Sequence, residues 1–227
     1  MEGLLLIDKP EDWTSFDVVA KVRGIIKHAT GERVKVGHTG TLDPKATGLL
    51  VLAIGSYTKR VPELTKLDKI YEAELTLGKT SNTDDSEGEL TEVNDDQPSK
   101  DQIEAALEKF IGEIQQVPPQ FSAIKVDGKR AYKSARKGDE VKLEPRTVTI
   151  RSINDLNYEY PVLSFVTDVT SGTYIRSLAR DIGEKLGTGA YLSGLRRETV
   201  GEFSVQNAIA MDGLNIETIQ DSIITLA

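Results

Sequence analysis

Gly37-His38-Thr39-Gly40-Thr41-Leu42-Asp43-Pro44-Lys45-Ala46-Thr47-Gly48 lies between two apolar stretches, Val34 to Val36 and Leu49 to Ile54. The flanks have the short, β-branched character of buried strands. The stretch between them holds three glycines and a proline, which do not sustain a ladder or a helix, so a loop is expected there. A loop carried between two strands of a core is where reactive side chains tend to be held. An Asp-Pro pair in a loop is by default only a turn former, and the neighbouring segments must decide whether Asp43 is more than that.

Upstream, Leu4 to Ile7 reads as a short buried strand that stops at Asp8-Lys9-Pro10-Glu11-Asp12. A helix is expected from a Thr14/Ser15 cap to Gly31, with Asp17 in its first turn and Phe16, Val18, Val19, Val22, Ile25 and Ile26 as a core-facing stripe. Downstream, Ile70 to Leu77 alternates, placing Tyr71, Ala73, Leu75 and Leu77 on one face. The acidic run from Asp84 to Asp96 reads as a solvated loop. A second helix is capped by Ser99 with Gln102 three residues on, carries Ile103, Ala106, Leu107 and Phe110, and is closed off by Pro118-Pro119. Val148 to Ile150 and Val162 to Val169 read as strands, and Tyr174 to Leu186 as a helix ended by Gly187. Strands and helices mix without regular βαβ alternation, which predicts the α+β class.

The 227 residues include no cysteine and two histidines. Disulfide frameworks, thiolate metal sites and cysteine nucleophiles are therefore excluded, and two histidines alone do not make a metal centre. No apolar stretch approaches a membrane span, and Met1 to Asp8 lacks the basic flank and cleavage site of a leader, so a cytoplasmic protein is expected. Phosphate-loop, dinucleotide and zinc-protease signatures are absent, as is the elbow of a serine hydrolase. The net charge of −8 argues against a polyanionic partner until its distribution is considered. Residues 61–120 hold five Lys/Arg against fifteen Asp/Glu, whereas Phe121 to Arg151 holds nine basic residues against four acidic ones. That local basic surface reads either as a charged hairpin or as a contact for nucleic acid.

The sixteen residues from Gly37 to Leu52 strongly resemble the active-site motif of the bacterial TruB-type pseudouridine synthases. Further segments match the same family in the same order. They are Lys9-Pro10 with Trp13-Thr14-Ser15, Lys69-Ile70-Tyr71, Pro118-Pro119 through Ser122-Ala123-Ile124-Lys125 to Tyr132, Ser171 through Leu178, and Leu195-Arg196-Arg197 with Val200-Gly201 and Phe203. The resemblance thus spans nearly the whole chain. It implies the pseudouridine synthase fold, a mixed central β-sheet with flanking helices, as a single catalytic domain over 1–227. An RNA-binding arm is expected at 118–147, and the family's C-terminal RNA-binding module is expected to be missing.

The implied activity is isomerisation of uridine 55 in the T-arm of tRNA, by a monomer with no metal, cofactor, membrane or obligate protein partner. By resemblance Asp43 is the catalytic carboxylate, Tyr71 stacks on the target base and accepts the proton at C5, and Arg176 pairs with the catalytic aspartate. His38, Tyr174 and Leu195 line the pocket or contact RNA, and Lys125, Lys129, Arg130 and Lys133 belong to the arm. Without the motif, Tyr71 would read as a core tyrosine, Arg176 as an exposed arginine in a helix's first turn, and His38 as structural. The chain departs from the family at Asp12, where glycine is usual, and at Asn82, where aspartate is common. A tRNA-binding folding factor and a guide-RNA-dependent relative are the competing expectations.

Overall fold

The computed structural model describes residues 1–122, 125–126, 129–130 and 142–226. In chain order the strands are β1 (Gly3–Lys9), β2 (Val36–His38), β3 (Thr47–Ile54), β4 (Lys69–Leu77), β5 (Lys79–Ser81), β6 (Leu90–Glu92), β7 (Gly112–Gln116), β8 (Lys125–Val126), β9 (Lys129–Arg130), β10 (Arg146–Glu159), β11 (Val162–Val169), β12 (Ala190–Val200), β13 (Phe203–Ser204) and β14 (Ile209–Ala210). The helices are α1 (Ser15–Thr30), α2 (Val61–Leu64), α3 (Lys100–Leu107), α4 (Ile175–Leu186) and α5 (Ile216–Asp221). They belong to two units, Met1–Glu72 with Leu195–Ala227, and Ala73–Gly194, and β4 and β12 each run from one unit into the other.

In the first unit the strand order is β14-β1-β3-β12, with β2 on β3 and β13 on β12. β1 and β3 are antiparallel, while β1 with β14 and β3 with β12 are parallel, so the sheet is mixed. Leu4, Leu5, Leu6 and Ile7 are all buried, as are Leu49 to Ile54. An unbroken apolar run of this kind belongs to a strand covered on both faces. On one side Leu4, Leu6, Leu49, Val51 and Ala53 pack with Leu64, Val200, Phe203 and Val205. α1 begins as its sequence requires: the Thr14 hydroxyl accepts from the Asp17 amide at 3.1 Å and the Asp17 carboxylate accepts from the Thr14 amide at 3.0 Å. It ends at Gly31 in the left-handed conformation, φ +77°. Its buried stripe is Val18, Val19, Val22 and Ile26, but Phe16 is 64% exposed, correcting its assignment to the core. Phe16 is the second helical residue and lies under the guanidinium of Arg23, 5.9 Å from the ring centroid.

The loop is shorter than expected. Gly37 and His38 pair with Ala53 and Leu52 as part of β2, and Thr47 and Gly48 already pair with Arg196 and Arg197 in β3. The strand anticipated at Val34 to Val36 therefore lies two residues later. Gly48 has φ +94°, and a Cβ there would sit 2.4 Å from the Arg197 carbonyl oxygen and 2.7 Å from its nitrogen. Only glycine lets β12 come this close. Gly48→Ala is expected to destabilise the protein by about 3 kcal/mol or more, combining backbone strain with overpacking, measured as the shift of a denaturant-unfolding midpoint. A variant as stable as the parent would show that the two strands can separate at no cost.

In the second unit the order β4-β11-β10-β7 forms the sheet, with β10 antiparallel to both β11 and β7. β4 keeps the predicted alternation, with Tyr71, Ala73, Leu75 and Leu77 buried. β10 is far longer than Val148 to Ile150, because its distal half gains its partner from β11 rather than from its own apolar content. Strands β5 and β6 form a separate pair. α3 has the Ser99/Gln102 capping box and packs on α4, but it ends at Leu107, leaving Phe110 in a 3₁₀ turn. In the middle of the proposed arm, residues 123–141, the described pairing is that of β8 with β9. Lys133 and the side chains of Lys125, Lys129 and Arg130 lie outside the described residues.

Candidate active site

Asp43 stands in the short loop that remains between β2 and β3, half-buried rather than exposed. Its backbone neighbours are fixed on both sides. The Ser15 hydroxyl, itself buried at the start of α1, accepts from the Leu42 amide at 2.9 Å and donates to the Leu42 carbonyl at 3.0 Å. On the other side the Pro44 carbonyl accepts from the Asp12 amide at 2.9 Å and from the Lys9 ammonium at 3.1 Å. The Ala46 amide donates to the carbonyl of Asp43 itself. Such a set of local bonds defines a loop that holds one conformation without help from regular structure.

Lys9 is fully buried at the end of β1, and its ammonium also donates to the carbonyls of Trp13 at 2.7 Å and Pro10 at 2.9 Å. Burial pushes its pKa down to about 8, while the Asp43 carboxylate pulls it back up. At neutral pH the charged form therefore persists, and three carbonyls satisfy it. Arg197, only 2% exposed, ties the same region to β12: its Nε donates to Leu49 O at 2.7 Å and its Nη2 to Gly40 O at 3.2 Å. Asp12, where the family usually has glycine, has φ +63°, a conformation aspartate tolerates better than most residues. Its carboxylate adds a 2.8 Å ion pair with Lys45. The departure is accommodated within the turn, and Asn82, the other departure, accepts from the Glu89 amide at 3.0 Å.

Tyr71 is buried on β4 in the first unit. His38 is half-buried in β2, and its Nδ1 is buried without a hydrogen-bond partner among the described residues. Burial lowers its pKa, and the nearby Arg197 charge lowers it further, so the neutral imidazole is favoured. Leu195, at the β12 position where the first unit resumes, is half-buried, and its carbonyl accepts weakly from the Thr47 hydroxyl at 3.4 Å.

In the second unit Arg176 is 8% exposed, in the first turn of α4, rather than displayed to solvent. Its Nη1 donates to Asp85 Oδ2 at 3.1 Å and to the Thr83 carbonyl at 3.3 Å, and its Nη2 donates to the Phe121 carbonyl at 3.0 Å. One turn on, Arg180 pairs with Asp84 at 3.0 Å and with Asp181 at 2.8 Å. These pairs correct the expectation that the run from Asp84 to Asp96 is a solvated loop. Its first two carboxylates face inward, and Asp85 is buried. Burial raises the Asp84 carboxyl, with Arg180 and Arg176 opposing. Composition alone does not separate Asp84 and Asp85 from the exposed acids that follow, because what distinguishes them is the α4 arginines 91 to 96 residues away. Tyr174 caps α4 and is held through its backbone: its amide donates to Gln116 Oε1 at 2.8 Å and its carbonyl accepts from Gln116 Nε2 at 3.0 Å.

Comparison with known proteins identifies the chain's relatives. The family model described as TruB family pseudouridylate synthase (N terminal domain) matches residues 27–175, and the tRNA pseudouridylate synthase B C-terminal domain matches residues 176–223. The chain is 45% identical to tRNA pseudouridine synthase B of Clostridium kluyveri, covering all of this chain and 76% of that protein. It is 43% identical to the protein of the same name from Burkholderia mallei, covering 96% of this chain and 70% of the relative. Among solved structures, a chain in the crystal structure of a Cbf5-Nop10-Gar1 complex superposes with a TM-score of 0.71 at 32% identity over 93% of this chain. A second, from an H/ACA RNP bound to a substrate RNA containing 2′-deoxyuridine, gives 0.68 at 30% identity, also over 93%. This chain spans about half the length of those solved chains, 53% and 52%.

Proposed function

The chain belongs to the TruB family of pseudouridylate synthases, and on that premise we propose that it isomerises uridine 55 in the T-arm of tRNA to pseudouridine. The observation that carries this is the Asp43 loop: a half-buried carboxylate whose flanking peptides are tied down by Ser15, Asp12 and Lys9. As the bond between C1′ and N1 breaks, electron deficiency develops at C1′, and a fixed carboxylate stabilises or traps it. The uracil turns over and C5 bonds to C1′. The proton on C5 then passes to a base, and N1 ends protonated, so the product is an isomer of the substrate. Uracil is recaptured rather than released, so no second carboxylate is required to activate water, unlike glycoside hydrolysis. The target nucleotide leaves its stack to reach Asp43.

Asp43, Tyr71 and Arg176 carry the proposed catalytic roles. Tyr71 supplies the ring that stacks on the uracil and the oxygen that accepts the C5 proton. Tyr71→Phe is expected to keep the ring contact and lose the acceptor, lowering kcat by about a hundredfold or more with little change in KM. Unchanged turnover at saturating RNA would return Tyr71 to a packing role. The function as a whole is tested by incubating unmodified tRNA with the purified protein and mapping pseudouridine by position. Modification at 55 supports the assignment, and either no product or product only elsewhere overturns it.

A further inference from the structure

Arg23 near the middle of α1, Arg33 and Lys35 in the segment leading to β2, and His38 at the end of β2 line one open cleft of about 480 Å³ in the first unit. Val34, Val36, Gly37, Thr58 and Val61 complete its walls. Among the described residues no carboxylate lines it, and none of the three cations forms an ion pair, although the chain as a whole carries eight more acidic than basic groups. Glu63, the acid nearest in sequence to Val61, is taken by Arg60. The valine walls lower the local polarisability, which strengthens the field of three uncompensated cations inside the cleft. Arg23 also lies over the exposed ring of Phe16, which holds its guanidinium at the surface.

The position of the cleft says which anion it meets. β2 leads from Lys35 and Val36 through His38 into the loop bearing Asp43, five residues later. Because His38 both lines the cleft and ends the strand that leads to this loop, a polyanion with one base at Asp43 carries phosphates next to the end of β2. We propose that the cleft of Arg23, Arg33 and Lys35 binds the phosphate backbone of the substrate tRNA, as a contact separate from the basic stretch at 121–151. The inference rests on the function proposed above. An acidic protein partner would need carboxylates matched to the same three cations and gains nothing from the adjoining loop.

The test compares two double variants with equal reduction of charge. Arg33→Ala/Lys35→Ala removes two cleft cations, and Lys66→Ala/Lys109→Ala removes two exposed cations elsewhere. Affinity for unmodified tRNA is measured by filter binding across a salt series, and unfolding midpoints are recorded for each protein. With two phosphates no longer neutralised, the cleft variant is expected to bind roughly tenfold more weakly near physiological salt, with the slope of log K against log salt shallower by roughly 1.5 units. The control pair is expected to change affinity by less than about threefold, with its slope retained. An Arg33→Lys/Lys35→Arg exchange keeps both charges and is expected to keep the slope. Equal behaviour of the cleft and control variants would overturn the proposal, as would a flattened slope in the exchange variant. A wild-type protein that shows the cleft-dependent slope but forms no pseudouridine would sink the proposed activity and leave the cleft standing.

Discussion

Asp43→Asn is expected to abolish pseudouridine formation, with a fall in single-turnover rate of at least about a thousandfold, while the protein stays folded and binds tRNA. Asparagine keeps the volume and the hydrogen-bonding reach but supplies no negative charge to an electron-deficient C1′. The fold tolerates the change because the loop is held through its main chain, by Ser15 on Leu42 and by Lys9 and Asp12 on Pro44. An electrostatic penalty arises at Lys9, whose ammonium gives up the nearby carboxylate but keeps three carbonyl acceptors. Stability is expected to fall by about 1 kcal/mol, near the centre of the range for single substitutions. Single-turnover kinetics with radiolabelled tRNA, alongside thermal unfolding, separate the two effects. A rate within tenfold of wild type would remove Asp43 from the chemistry.

Arg176→Lys is expected to lower both activity and stability despite unchanged charge. The guanidinium serves at least three acceptors in different directions, among them the Asp85 carboxylate and the carbonyls of Thr83 and Phe121. A lysine is a single donor atom on a flexible stem and does not span them. With Asp85 buried, imperfect pairing leaves charge and carbonyls partly unsatisfied, which costs about 2–3 kcal/mol. Activity is expected to fall at least about tenfold even after correction for the folded fraction, because the proposed catalytic role requires the fork. Asp85→Asn in the Arg176→Lys background should recover little, since the carbonyls remain unserved. Near-full stability and turnover in Arg176→Lys would show that a point charge suffices.

How much of this is legible in the sequence depends on the range of the interactions. Local signals are reliable where the determinant lies within one turn or one strand. The Thr14/Asp17 and Ser99/Gln102 boxes, Gly31 and Gly187 at helix ends, and the alternation through β4 all appear at their expected places. The ordered motifs identify the family, because matched spacing along a chain is a one-dimensional property. The departures share one cause. Phe16 has helical spacing, yet exposure at 64% depends on what faces the first turn of α1. Asp85 sits in an acidic run, yet its burial depends on Arg176.

By itself, then, the sequence determined the class of fold, the helix caps and the alternating strand β4, and its ordered motifs determined the family. Tertiary structure alone decided which charges are interior. Lys9, Arg197 and Asp85 are exposed by residue-type expectation and buried in fact. Each is compensated by carbonyls or an opposite charge that the chain reaches only after folding, as Arg197 reaches Leu49 across 148 residues. Periodicity reports whether a face is apolar. It does not report whether a buried charge has a partner, because the partner comes from elsewhere in the chain and the net energy depends on geometry at the ångström scale.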